Sequence, residues 1–208
     1  MIIAIDGPAA AGKGTLARRL AQTLGLPYLD TGLLYRATAK RVLEAGGDPA
    51  DAQAAAAAAR ELTEADTARE DLRDAATSRA ASQVASIPAV RAALLAYQRG
   101  YGGGRGAVLD GRDIGTVIFP DADVKLFVTA SVEARAKRRQ AEFTARGERV
   151  NLAEVIAEVA ARDEADRTRA AAPLIPAEDA ILIDTTSLDA DQAFSLALEL
   201  VRRKLGRE

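Results

Sequence analysis

The 208-residue chain has no cysteine and no histidine. The first absence excludes disulfides, thiolate nucleophiles and cysteine metal sites. The second removes Ser-His-Asp triads and imidazole-based zinc sites. Aromatic residues make up only 4% and the formal net charge is −2. Neither the stacking aromatics nor the basic surface of a nucleic-acid binder is therefore present. No apolar run approaches the ~20 residues of a membrane span. A strand-like run begins at Ile2, with no charged n-region or apolar h-region before it, so a cytoplasmic setting without nucleic-acid or membrane partners is expected. What remains for chemistry is Lys, Arg, Asp, Glu and hydroxyl groups. That inventory suits phosphoryl transfer, which depends on positioning and on cations that neutralise charge.

The stretch around which the chain is organised is Gly7-Pro8-Ala9-Ala10-Ala11-Gly12-Lys13-Gly14-Thr15, directly after Ile2-Ile3-Ala4-Ile5. Four apolar residues with β-branched members read as a short buried strand, and Leu16, Leu20 and Leu24 recur at helical spacing. Strand, glycine-rich turn and helix start are the context that makes a P-loop. Its glycines let backbone N–H groups turn inward at a helix N-terminus, where an anion is favoured. Lys13 would reach the β- and γ-phosphates, and the Thr15 hydroxyl would ligate Mg²⁺. Gly14 stands between Lys13 and Thr15, where the plain motif has none. The plain alternative is a turn that only joins strand to helix.

Further strands are expected at Tyr28-Leu29, Ala107–Asp110, Asp123–Val128 and Ile181–Asp184. The periodicity predicts helices from Leu33 to about Ala45, without a break from Asp66 to Ala85, and from Pro88 to Arg99. Others are expected from Val132, from Leu152 to about Arg169, and from Gln192 to Leu205. Either Thr31 or Asp30 would cap the helix that begins near Leu33. The alanine run Ala54–Ala59 reads as a surface helix, and Gly100–Gly106 as a flexible loop. Short apolar strands alternating with helices imply an α/β fold of the P-loop NTPase type. Its parallel sheet of about five strands would be covered by helices on both faces, in one domain over 1–208. Ligands in such folds bind beyond the carboxyl ends of the strands, where Gly7, Asp30 and Asp110 fall. Asp110 ends a strand and is a candidate Mg²⁺ ligand; a turn or cap role is the alternative. The basic run Arg135, Lys137, Arg138, Arg139, Arg146 and Arg149 is either a solvated helix or part of a lid.

Three further segments carry a resemblance. Asp30-Thr31-Gly32-Leu33-Leu34-Tyr35-Arg36, the stretch from Asp110 to Ala122, and Arg162 through Asp166 and Arg169 to Leu174 are similar to motifs of bacterial cytidylate kinases. With the Gly-Lys-Gly-Thr form of the P-loop they span residues 2 to about 184 in order. The resemblance implies transfer of the γ-phosphate of ATP to CMP or dCMP with Mg²⁺, by a monomer with mobile acceptor-binding (about 30–99) and lid (about 138–150) segments. Lys13, Arg112 and Arg169 would be catalytic, and Arg36, Arg112 and Arg169 would grip the acceptor phosphate or line its path. Ser82, Arg91 and Asp113 match positions around the cytosine ring, and Arg162 and Asp166 positions near the ribose. Thr31 and Tyr35 would complete the wall. From spacing alone, Arg162, Asp166 and Arg169 lie on one helical face, and an Arg-Asp helical ion pair is the simpler account. Between Leu62 and Asp74 the chain departs from larger members, which carry a small β-rich lobe there. That departure bears on the choice among CMP, dCMP and UMP rather than on the reaction. Another small P-loop kinase, or a nucleotide-sensing protein, would be the competing readings.

Overall fold

Five strands, β1 (Ile2–Asp6), β2 (Tyr28–Asp30), β3 (Ala107–Gly111), β4 (Val124–Thr129) and β5 (Ile181–Asp184), form one all-parallel sheet in the order β2-β3-β1-β4-β5. The computed structural model describes residues 1–206, and Arg207 and Glu208 lie outside the described residues. β1 is the central strand. Its Ile3, Ala4 and Ile5 are wholly buried, as a strand covered on both faces must be. Ile3 and Ile5 pack against α1 (Lys13–Leu24) and α9 (Ala190–Lys204). Ala4 packs on the other face with Leu109, Ile114 and Ile118. The chain leaves β1 towards β3 and β2 on one side, then crosses to β4 and β5 on the other. The crevice between the two directions opens at the carboxyl end of β1, where the loop of Gly7–Gly12 begins.

Two satellite layers flank this sheet. One is helical: α2 (Thr31–Glu44), α3 (Ala52–Arg60), α5 (Ala75–Ala85) and α6 (Pro88–Tyr101) bury Leu34, Val42, Val84, Val90 and Leu94 together. The other is a hairpin of α7 (Val132–Ala145) and α8 (Leu152–Thr168), held by Ala136, Phe143, Val155 and Val159. Between α3 and α5 lie the one-turn α4 (Glu64–Thr67) and a 3₁₀ turn at Glu70–Arg73.

Several expectations are corrected. The segment 66–85 is not one helix, because Asp74 sits at an N-cap with ψ 162° and its carboxylate accepts from the Thr77 N–H at 2.7 Å, starting α5 afresh. α2 starts at Thr31 rather than Leu33, and Asp30 is the N-cap without a side-chain bond to the helix. The alanine helix is not merely superficial. Ala55, Ala56 and Ala59 are buried in the same core as α2 and α6, where small side chains let helices approach closely. α6 runs to Tyr101, and two of the glycines after it, Gly102 and Gly106, are tightly placed, while Gly104 is exposed with open space around it. A Cβ on Gly106 would lie 2.1 Å from the Met1 carbonyl oxygen, and one on Gly102 2.6 Å from Ile2 Cδ1. A single π-turn over Ile114–Ile118, which periodicity gave no sign of, follows β3.

Candidate active site

The loop after β1 is built for close approach. Gly7 adopts φ +145°, and a Cβ there would sit 1.9 Å from the Val128 carbonyl oxygen, so only glycine fits against β4. Gly12 caps α1 at φ 87° with no side-chain cap. The first N–H groups of α1 thus have no side-chain acceptor of their own, the arrangement that receives an anion. Ala10 is left-handed at φ 58°, a conformation that costs an L-residue about 1–2 kcal/mol. The loop is pinned from behind. Arg135 Nη1 donates to the Ala9 carbonyl at 3.2 Å and Thr185 Oγ1 to the Ala11 carbonyl at 3.2 Å.

Lys13 is buried, and its Nζ donates to the Pro8 carbonyl at 2.7 Å. Burial, with Arg112 nearby, pushes its ammonium well below the usual lysine range. Across from it the Asp110 carboxyl, also buried, is pushed up by burial and by Asp30. Tyr28 donates its hydroxyl to Asp110 Oδ1 at 2.8 Å. Thr15 is exposed to the cleft. A Cβ on Gly14 would lie 3.9 Å from Asp110 Oδ2, so Asp110 faces the first turn of α1 beside Thr15. Among the described residues no cluster of three or more acidic side chains could hold a metal alone. One hydroxyl and one carboxylate suit an ion that keeps waters and takes phosphate oxygens, which is how Mg²⁺ is bound at phosphoryl-transfer sites.

The cleft of about 580 Å³ beyond the sheet is lined by eleven cationic side chains and five carboxylates, although the chain as a whole is slightly acidic. Ala9 to Thr15 form one end of it; Gly7 and Pro8 stand behind the loop and do not line it. Thr31, Tyr35, Arg36, Ser82, Arg91, Arg112, Asp113, Arg162, Asp166 and Arg169 all line the same cleft. Every substrate-side residue picked out from the sequence is therefore in one place.

Their partners separate two groups. Arg91 and Asp113 form a short ion pair, Arg91 also lies over the Tyr35 ring at 5.5 Å, and it donates to the Ala85 carbonyl at 3.1 Å. Arg112 Nε donates to Asp166 Oδ2 at 2.8 Å. Burial pushes the Asp166 carboxyl up, but Arg112 outweighs it and holds the group below the usual carboxylate range. Asp166 thus pairs across the cleft, and the Arg162–Asp166 helical ion pair does not form. Arg169 is not on the helical face either, although its Nη1 lies 3.8 Å from Asp166 Oδ1. It is the residue after α8, at ψ 138°, and its Nε donates to the Ala172 carbonyl at 2.7 Å. Thr31 spends its hydroxyl proton on the Asp110 carbonyl at 2.8 Å, leaving only acceptor capacity towards the cleft.

Arg36 and Arg162 form the second group, with no ion-pair partner among the described residues. Arg36 Nη1 donates to Ser78 Oγ at 2.6 Å and to the Leu72 carbonyl at 3.2 Å. Burial, with Arg162 and Arg73, lowers its pKa to about 9. Arg162 is lowered to about 10 by burial and by Arg112, and its Nε is buried without a partner. Arg169 Nη2 is likewise unpartnered by hydrogen bonds. Guanidiniums crowded together at a cost to their own ionisation mark a hole shaped for an anion.

The basic run on α7 splits. Arg135 is buried, pairing with Asp163, and Arg138 donates to the Thr185 carbonyl at 2.5 Å, so both brace the fold. Arg139 and Arg146 line the cleft, while Lys137 and Arg149 are exposed. Asp6 was not singled out by sequence. Its buried carboxylate accepts from the N–H of Ile114 at 2.8 Å and of Gly115 at 2.7 Å, tying the strand before the P-loop to the turn that carries Arg112 and Asp113. An acid at the last position of a buried strand was the signal available. Tyr28 and Arg73 were also missed, and only three-dimensional proximity reveals them.

A family model for cytidylate kinase matches residues 3–203. The chain belongs to the cytidylate kinase family. It is 62% identical over 207 residues to the cytidylate kinase of Acidiphilium cryptum, covering 100% of this chain and 98% of that protein. It is 61% identical over 207 residues to that of Granulibacter bethesdensis, covering 100% and 99%. Coverage this complete leaves no room in either relative for an inserted lobe of tens of residues at positions 62–74. Those cytidylate kinases share the short connection. Two solved structures share the fold alone. An uncharacterized protein from Eubacterium ventriosum superposes with TM-score 0.54 at 15% identity, over 97% of this chain and 98% of that one. TT1252 from Thermus thermophilus does so with TM-score 0.50 at 21% identity, over 99% and 97%. No helix among the described residues is long and apolar enough to cross a membrane.

Proposed function

We propose that this member of the cytidylate kinase family transfers the γ-phosphate of ATP to CMP or dCMP, giving CDP or dCDP and ADP, in pyrimidine nucleotide metabolism. The observation that carries the reading is one cleft with two cationic ends of different make. A P-loop with Lys13 lies at one end and the guanidiniums of Arg36, Arg112, Arg162 and Arg169 at the other. A phosphate oxygen of the acceptor attacks the γ-phosphorus of ATP, the bond from that phosphorus to the β–γ bridging oxygen breaks, and ADP leaves. The attacking oxygen is already anionic near neutral pH, which agrees with a site that has no histidine or other strong base.

The P-loop backbone from Ala9 to Gly14, backed by Gly7 and Pro8, cradles the donor phosphates, and Lys13 neutralises charge on the transferring group. Thr15 and Asp110 would hold Mg²⁺, which supplies charge neutralisation at the donor phosphates when bound. Arg112 stands next to both Lys13 and Asp166, so it bridges the donor and acceptor halves. Arg36 and Arg169 hold the acceptor phosphate, Arg162 and Asp166 the ribose, and Ser82, Arg91 and Asp113 the cytosine edge, with Thr31 and Tyr35 as wall. The whole is a single domain, acting as a monomer in the cytoplasm. Its acceptor-binding segment covers about 30–99, and its lid, the tip of the α7–α8 hairpin, about 138–150.

ADP release with Mg·ATP against CMP, dCMP, UMP, dTMP, AMP and GMP tests the reading. Stimulation by CMP and dCMP alone is expected. Comparable rates with UMP would reassign the acceptor, and no stimulation by any monophosphate would reduce the chain to an ATP-binding fold.

A further inference from the structure

The short connection between α3 and α5 is a braced strap rather than a loose loop. Arg69 donates to both carboxylate oxygens of Glu44 on α2, at 2.5 and 2.9 Å, and to those of Asp71, at 2.9 and 2.8 Å. Lys40, also on α2, reaches Asp71 at 3.1 Å and Asp74 at 3.3 Å. Between these two anchors Leu72 is fully buried. The residue left between Leu72 and the α5 cap is Arg73, and it lines the cleft.

Three contacts set what Arg73 faces. Its Nη2 donates to Asp30 Oδ2 at 2.9 Å, at the carboxyl end of β2. The residue before it gives its carbonyl to Arg36 at 3.2 Å. Its own carbonyl accepts from Arg146, at the end of α7, at 3.2 Å. Arg73 is also among the like charges, with Arg162, that depress Arg36. It is therefore a further guanidinium at the hole that Arg36 and Arg162 border, supplied by the strap and parked on Asp30. Its side chain is 48% exposed, and a half-exposed single ion pair contributes little on its own. A dianionic phosphate competes with Asp30 for it by offering more charge and a bidentate edge.

We propose that Arg73 is an additional acceptor-phosphate residue, with the braced strap setting its position opposite Arg36. The proposal rests on the nucleoside monophosphate kinase reading of the cleft and extends its acceptor site to a segment outside the motifs that identified it. Because Arg73 faces a phosphate and not a base, its loss weakens CMP and dCMP alike.

Steady-state kinetics of full-length Arg73→Ala are expected to show KM for CMP and for dCMP raised about 10-fold, as for loss of one charge-assisted contact, with KM for ATP unchanged. Arg73→Lys, which keeps the charge but not the fork, should recover part of the loss. Inhibition by cytidine, which lacks the phosphate, should be the same in wild type and variant. Arg79→Ala, an exposed arginine on α5, serves as the control and should match wild type. An unchanged KM for CMP in Arg73→Ala, or a rise in KM for ATP instead, would overturn the proposal. A wild-type chain that ignores CMP would overturn the reading beneath it, and that result is visible before any variant is made.

Discussion

The two ends of the cleft, donor and acceptor in the proposed reading, are built by different means. The donor end is mostly backbone: a loop bent through positive φ at Gly7, Ala10 and Gly12, of which Ala9 to Gly14 line the cleft, with one lysine. The acceptor end uses side chains drawn from α2, the strap, α6, the end of β3, α8 and the residue after it. Backbone amides carry no net charge, whereas guanidiniums crowded into one cleft repel one another. Hence the acceptor end has a second layer of acids, with Asp166 on Arg112, Asp113 on Arg91 and Asp30 on Arg73. A phosphate site made of arginine is also a site made of aspartate.

That contrast breaks first at Lys13, the donor end's only side-chain cation in the loop. Lys13→Ala is expected to lower kcat by about 10³-fold, the scale of losing one charge-stabilising donor in a closed site, while the fold stays intact by circular dichroism. Loss of less than 10-fold would mean that the backbone alone suffices.

The joint between the two ends is Asp6. Burial raises its pKa from 3.8 to about 6, against the pull of the Gly115 and Ile114 N–H groups and with the help of Asp113. A carboxyl raised in the fold binds its proton more readily there than in the unfolded chain. Its contribution is complete below the unfolded value and is lost as pH rises through about 6, a difference of ~3 kcal/mol. Asp6→Asn cannot ionise, so its stability deficit against wild type should narrow between pH 4 and pH 7. Urea unfolding midpoints across that range measure it, and a constant deficit would show that Asp6 does not titrate there.

How much of this was readable in the sequence follows from the same division. A backbone site must be contiguous, so Gly7 to Thr15 announced itself with strand before and helix after. The parallel sheet was equally plain, because strands covered on both faces are continuous apolar runs such as Ile2–Ile5. The acceptor residues were placed only through resemblance to known motifs, since nothing in spacing says that Asp166 will pair with Arg112 instead of Arg162. The break at Asp74 was missed because helix-forming residues flank it on both sides, and a cap is a single-residue event. Arg135 and Arg138 belong to a run that reads as either a solvated helix or a lid, and what ties them to the fold lies elsewhere in the chain: Asp163 for one, the Thr185 carbonyl for the other.

Asp166 sharpens the comparison further, because it has two claims on it. Asp166→Ala leaves Arg112 without its carboxylate and should lower kcat/KM for both CMP and dCMP about 30-fold, ~2 kcal/mol. If it also accepts from a ribose hydroxyl, the loss on CMP should exceed that on dCMP by a few-fold. Equal losses would leave Asp166 as the holder of Arg112 and nothing more.

The smallest expected effect lies on α7, where sequence shows one basic run and the structure shows three roles. Arg135 and Arg138 are spent on the fold, Arg139 and Arg146 face the cleft, and Lys137 faces water. A solvated lysine with no ion-pair partner among the described residues contributes within about 0.5 kcal/mol to stability. It does not line the cleft. Lys137→Ala should therefore leave the thermal midpoint and both KM values within error of wild type. If instead KM for ATP rose severalfold, the lid would be acting through its summed charge, and the side-chain end of the cleft would extend over the donor as well. Measured beside Arg139→Ala at two ionic strengths, the variant separates a field, which salt screens at every position alike, from a contact made at one residue.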